Sequence, residues 1–170
     1  MIRVALITVS TSRANQSAHE HAGTTPPAPD LSGERLTALA GSLGAEIVGQ
    51  ELIPDVRYLI ASRLVHWAGE GAANLVLTSG GTGFAPSDQT PEATRSVIER
   101  PAPGIAEAIR LESSRHTDKW PLSRAEAGIR GRCLIINLPG SPASIDECAP
   151  VLTPFLEHAI NLIEGRNCGH

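Results

Sequence analysis

The chain alternates short continuous apolar runs with longer stretches in which apolar residues recur every three or four positions. Ile2 to Ser10, "IRVALITVS", is β-branched and almost wholly apolar, which predicts a strand buried on both faces. Leu75 to Thr78 and Cys133 to Leu138 repeat that signal, and Ala45 to Ile53 suits a second strand. Between them lie helical stripes. Leu36, Leu39, Ala40 and Leu43 share one face, with Asp30 or Ser32 as the cap and Gly44 as the stop. Asp55 opens a second helix carrying Leu59, Ile60, Leu64, Trp67 and Ala68. Thr90-Pro91 predicts a third start, with Thr90 as N-cap and Pro91 at the first helical position. A fourth helix follows Pro103, with Ile105, Ala108, Ile109 and Glu112 in register. Ser144 to Glu147 reads as a capping box, with Pro150 and Pro154 breaking the stretch that follows. Thr153-Pro154 would restart a helix through Phe155, Leu156, Ala159, Leu162 and Ile163. Arg13 to Asp30 shows no periodicity and reads as a long polar loop.

The resulting order, β-α-β-α-β-α-α-β-α, predicts a three-layer αβα sandwich around a mostly parallel sheet. No repeat or linker divides the sequence, so residues 1–170 are expected to form a single domain. In such folds, ligands bind at the carboxyl ends of strands where the strand order reverses.

Polar, glycine-rich segments stand at four of those ends: "TVSTSR", "IPD", "TSGGTG" and "NLPGSP". Each has a structural reading beside a functional one. Gly80, Gly81 and Gly83 allow a tight strand-to-helix turn, or a nest of amides for an anion, with Ser79 and Thr82 adding hydroxyls. Asp88 either caps amides of its own turn or holds a metal ion against phosphates. Asp55 is either an ordinary helix cap or a carboxylate facing a ligand. Asn137 to Pro142 is either a connection or a wall and donor set for a flat, phosphate-bearing molecule. Arg124 is either an exposed cation or a fork for an anionic group. His19 and His21, in "HEH", resemble a metal-binding scrap but lack a third partner at fixed spacing.

Composition narrows the classes. The net charge is -4 with no basic block, which argues against a nucleic-acid binder. No apolar run reaches membrane-spanning length. The three cysteines form no C-x-x-C pair, and Cys133 and Cys148 sit in apolar patterns. A cytoplasmic protein is the expectation.

"LVLTSGGTGFAPSDQTPEATRSVIERPAPGIAEAIR", "PLSRAEAGIRG" and "LIINLPGSP" resemble the MoaB/Mog family of molybdenum cofactor biosynthesis proteins. The resemblance runs from the first strand to the last helix and is weakest between Thr11 and Asp30. It implies a molybdopterin adenylyltransferase, which transfers AMP from ATP to the phosphate of molybdopterin and releases pyrophosphate. It also implies Mg²⁺, a homotrimer and a molybdate-inserting enzyme downstream. By motif, Asp55 and Asp88 match the two essential acidic positions, with Asp88 and Asp55 as the metal ligands. Gly80, Gly81, Thr82 and Gly83 match the phosphate loop. Ser123 and Arg124 match the segment near the pterin. Asn137, Pro139, Gly140, Ser141 and Pro142 match the loop near the nucleotide. Asp30, Ser32 and Gly33 match a helix start, and Ser10 and Ser79 end their strands beside these groups. The sequence departs from the family at Ser87, where Arg is frequent, at Thr11, at Asp118 to Pro121 and in the first loop. Those departures keep open a second reading, a binding-only paralogue that assists assembly in the same pathway. A domain of a molybdate-inserting enzyme is a third reading, set behind these because the sequence carries no additional domain.

Overall fold

The computed structural model describes residues 1–20, 29–69 and 72–166, with backbone alone for 16–20. Six strands form one mixed sheet: β1 (Arg3–Val9), β2 (Glu46–Ile53), β3 (Leu75–Ser79), β4 (Arg100–Pro101), β5 (Ala127–Arg130) and β6 (Cys133–Leu138). Their order is β2-β1-β3-β6-β5-β4. The β2, β1, β3 and β6 strands run parallel, while β5 turns back against β6 and β4 pairs antiparallel with β5.

Side chains of the central strands alternate between two cores. Along β1, Val4 and Leu6 enter one cluster, and Ala5, Ile7 and Val9 the other. The first core packs against α2 (Leu31–Ser42), α5 (Pro103–Ser113), α6 (Pro142–Leu152) and α7 (Leu156–Ile163). The second packs against α3 (Arg57–Gly69) and α4 (Thr90–Val97). The three-layer sandwich is therefore present, with an antiparallel margin added to the parallel half. Leu6 and Ile7 are fully buried, each contributing ~1.5–3 kcal/mol of transfer free energy. Cys133 and Cys148 behave as core residues: burial pushes both thiols up to about 12, helped at Cys148 by the Glu147 charge.

Several local expectations are corrected. Residues 11–20 form helix α1 (Thr11–Glu20) rather than loop; residues 21–28, including His21, and the side chain of His19 lie outside the described residues, as does Cys168. Thr90 is already inside α4, whose N-cap is Gln89. The last helical stretch opens at Pro142 with Ser141 as its cap, whose Oγ accepts from Ser144 N at 3.2 Å, so the capping box at Ser144 does not form. Pro150 lies within α6, and the break comes instead between Thr153 and Phe155. The β4 and β5 strands were not expected. Among the described residues, no helix is long and apolar enough to cross a membrane.

Candidate functional site

Because β2, β1, β3 and β6 run parallel and adjacent, their carboxyl ends converge. The order reverses between β1 and β3, where a crevice is expected. Ser10, Asp55, the Ser79–Gly83 loop and the Pro139–Ser141 loop all emerge there. Gly80 has φ +102°, and a Cβ on it would stand 2.2 Å from Val9 O. Bare backbone at this position lets the third strand's loop fold over the end of the first. A Cβ on Gly140 would stand 3.2 Å from Gly80 Cα, so the loops after β3 and β6 also touch through backbone. Ser79 Oγ, fully buried, donates to Pro139 O at 2.8 Å and fixes that contact.

Asp55 is not the cap of its own helix. Its Oδ1 accepts from Gln89 N at 3.0 Å, at the start of α4. Its amide donates to Thr11 Oγ1 at 2.9 Å, tying it to the first strand's end. Oδ2 lies against the glycine loop, since a Cβ on Gly81 would stand 2.5 Å from it and 2.4 Å from Thr90 Oγ1. Gly81 has φ +64°, so only glycine fits without strain. Thr90 Oγ1 in turn donates to Gly80 O at 2.9 Å.

Asp88 sits on the other side of the same loop. Its Oδ2 accepts from Ala85 N at 3.0 Å and would lie 2.8 Å from a Cβ on Gly83. Each acidic residue thus has one oxygen anchored by a backbone amide. Burial raises the pKa of Asp55 above the usual carboxylate value, and the nearby Asp88 and Glu92 charges add to this. The Gln89 amide and Arg124 act in the opposite direction.

Arg124 is held by protein groups. Its backbone N donates to Thr82 O at 2.9 Å, Nε to Gly83 O at 2.7 Å and Nη2 to Asp88 O at 2.8 Å, while Nη1 pairs with Glu92. Ser123 precedes it in the same segment, half-buried, with its Oγ 3.5 Å from Ala125 N. Asn137 is wholly buried beneath the loops. Its amide donates to Thr78 Oγ1 at 3.0 Å and Thr94 Oγ1 at 2.9 Å and accepts from Glu126 N at 3.1 Å, so it braces β3, α4 and the approach to β5. Asp30 is the cap of α2, accepting from Gly33 N at 3.0 Å. Ser32 donates to Gly140 O at 3.0 Å. Pro142 begins α6 directly after Ser141.

The structure therefore brings the sequence-marked residues into one region but divides their roles. Asn137 and Arg124 brace the loops. Asp55 and Asp88 stand on either side of the loop, and none of the amides of Gly81, Thr82 and Gly83 donates to a described residue. A cavity of about 510 Å³, lined in part by Asp55, Tyr58, Gln89 and Ser96, opens beside Asp55. Three residues absent from the sequence-marked set also belong here. Arg13 donates to Asp30 Oδ1 at 3.1 Å and Ser32 Oγ at 3.2 Å; its place in "TVSTSR" was the available signal. Gln89 and Glu92 stand at the N-cap and in the first turn of α4, where nothing in the sequence marked them for the site.

The residues fit a magnesium ion shared with phosphates rather than a resident metal cage. Two carboxylates with hard oxygens lean on one loop, and Mg²⁺ is commonly held by one or two carboxylates plus substrate phosphates. Among the described residues, no group of three or more His, Cys, Asp or Glu could hold a metal by itself.

Comparison with known proteins places the chain in a family. The chain is 41% identical over 139 residues to "Molybdenum cofactor synthesis protein cinnamon" of Drosophila melanogaster, covering 81% of this chain and 23% of that protein. It is 44% identical over 115 residues to a molybdopterin adenylyltransferase of Helicobacter pylori, covering 68% of this chain and 65% of that protein. The chain thus spans about a quarter and about two thirds of these relatives' lengths. The crystal structure of a molybdopterin biosynthesis enzyme, MoaB of Thermus thermophilus, superposes with a TM-score of 0.82 at 38% identity, covering 99% of this chain and 100% of that one. Residues 5–158 match the family described as "Probable molybdopterin binding domain", and the chain belongs to that MoaB/Mog family of molybdenum cofactor biosynthesis proteins.

Proposed function

We propose that the protein is a molybdopterin adenylyltransferase, joining the AMP of ATP to the phosphate of molybdopterin and releasing pyrophosphate. One observation carries the reading. Asp55 and Asp88 flank a glycine loop at the sheet's switch point, each held by one oxygen, beside amides that have no acceptor among the described residues. That arrangement suits a polyphosphate met by amide donors on one side and by carboxylates on the other.

A terminal phosphate is already an anionic nucleophile at neutral pH, so the reaction needs positioning and charge neutralisation more than a strong base. Its oxygen attacks the α-phosphorus of ATP, and the bond to the β-phosphate bridging oxygen breaks. The amides of Gly81, Thr82 and Gly83 would face charge growing on the phosphates. Asp88 and Asp55 would hold Mg²⁺, which supplies Lewis-acid neutralisation of the triphosphate when bound. Burial raises the pKa of Asp55, and the Asp88 and Glu92 charges that add to the rise are ones a bound cation would offset.

The test is to incubate the purified protein with molybdopterin, ATP and Mg²⁺ and to follow pyrophosphate and adenylylated molybdopterin. Turnover that requires all three supports the reading. A second reading, a binding-only paralogue, draws on exposed Ser87 beside Asp88, where the family resemblance leads to an expected Arg. Tight binding of molybdopterin or ATP with no pyrophosphate released would favour it.

A further inference from the structure

We infer that Glu92 and Arg124 form a positioning pair that presets the glycine loop and the Asp88 turn, with Arg124 acting through the loop rather than on the substrate. The kinetic part of this inference rests on the adenylyl-transfer reading; the structural part does not.

Four contacts converge on one residue. Arg124 reaches the beginning of the Thr82–Asp88 turn through its backbone N at Thr82 O and its Nε at Gly83 O. It reaches the end of that turn through Nη2 at Asp88 O. Both feet of the turn are thus tied to a single guanidinium plane, while Phe84, Ala85, Pro86 and Ser87 at its tip are exposed. Asp88 also binds its own turn through Ala85 N, so fixing the turn fixes the carboxylate.

Glu92 sets the guanidinium in turn. It stands in the first turn of α4 and accepts from Nη1. Both side chains of the pair are 29% exposed, so neither is free to swing in open solvent. The same contacts act on the Glu92 carboxyl. Burial alone would raise its pKa, but the Arg124 hydrogen bond, its own backbone amide and the Arg124 and Arg95 charges together hold it below the usual value. Three of the five N–H groups of Arg124 are used on Gly83, Asp88 and Glu92. A planar fork can meet three acceptors in fixed directions at once, which a lysine ammonium on a flexible stem cannot.

Arg124→Lys keeps the charge and loses the fork. Glu92→Gln keeps the shape and loses the charge. Amide hydrogen exchange on the ligand-free proteins reads the loop without any substrate. For Arg124→Lys, exchange at the hydrogen-bonded amides of Ala85, Asp88, Gln89 and Thr90 should rise by about tenfold or more, while the β1 and β6 amides stay protected. For Glu92→Gln the same amides should respond in the same direction, and the double variant should be no worse than Arg124→Lys alone. In adenylyl transfer, Arg124→Lys should lower kcat by ~10²-fold, the scale of a small misplacement of reacting groups, with KM for ATP changed by roughly threefold or less. Added guanidinium should restore part of kcat, and of the exchange protection, to Arg124→Ala. The inference is overturned if exchange at those four amides is unchanged in both single variants, or if the loss at Arg124→Lys falls in KM while Glu92→Gln is neutral. Should the wild-type protein show no adenylyl transfer, the proposed function fails, and the exchange and guanidinium results still decide the positioning role.

Discussion

Asp55 Oδ1 accepts the amide of Gln89 at 3.0 Å, so the carboxylate that follows the second strand holds the N-cap residue of the helix that follows the third. Two crossovers of the sheet are thereby linked through one acidic side chain, whose other oxygen faces the glycine loop.

That position costs stability. Burial, reinforced by Asp88 and Glu92, raises the folded-state pKa of Asp55 above its unfolded value. The folded protein therefore holds this proton more tightly, and ionisation weakens the fold. The penalty is absent below the unfolded pKa, grows as pH rises and is complete above the folded pKa. Asp55→Asn, which retains an oxygen for Gln89 N, should raise Tm at pH 7, with the difference shrinking as the pH falls through the carboxyl range. It should also lose adenylyl transfer. Thermal melts across pH, paired with pyrophosphate release, check both parts.

Asp88→Asn should leave the fold intact, because an amide oxygen can still accept from Ala85 N. Adenylyl transfer should drop by ~10²-fold or more, the scale seen when a preorganised electrostatic group is removed. Titrating Mg²⁺ in the assay should show the variant needing more of it. Near-normal turnover would remove Asp88 from the site.

Gly81→Ala places a Cβ 2.4 Å from Thr90 Oγ1 and 2.5 Å from Asp55 Oδ2, at φ +64°. Strain of this kind costs on the order of 1–3 kcal/mol. The variant should unfold at lower urea concentration and bind ATP more weakly. Gly131→Ala, also at positive φ but with open space around it, should pay only the backbone part.

Asn137→Ala removes a wholly buried amide that makes three hydrogen bonds. It strands Glu126 N and leaves a void. The expected loss is about 3 kcal/mol in urea unfolding, well above that of an ordinary surface substitution. If Asn137 served chiefly as a ligand contact, stability would hardly move and binding alone would suffer.

The sequence signalled β1, β3 and β6 because they are continuous apolar runs, whose burial on both faces leaves that mark, while β2 is an edge strand with exposed and half-buried positions. It did not signal β5, "AGIR", or the two-residue β4. Their pairing is dictated by β6 across the sheet, and a short strand with Ala and Gly has little propensity of its own. Helix α1 went unseen because "TSRANQSAHE" carries no apolar stripe. The glycine loop and its two aspartates were legible as polar strand ends. Their anchoring was not: the amide that Asp55 binds lies 34 positions away, at the N-cap residue of α4 in another crossover. Arg124 and Asn137 look like ligand donors in sequence, but only tertiary packing shows that they face inward toward carbonyls and hydroxyls.

Gly80 lies between the carbonyl of Val9 and the backbone of Gly140, with no side chain on either side. Three strand ends therefore meet as a stack of naked main chain. A methyl group inserted at Gly80 cannot be absorbed by a rotamer change in a neighbour, because the neighbours have no rotamers there. In a library that randomises Gly80 together with Gly140, compensating pairs should be almost absent, and the two glycines should be recovered together.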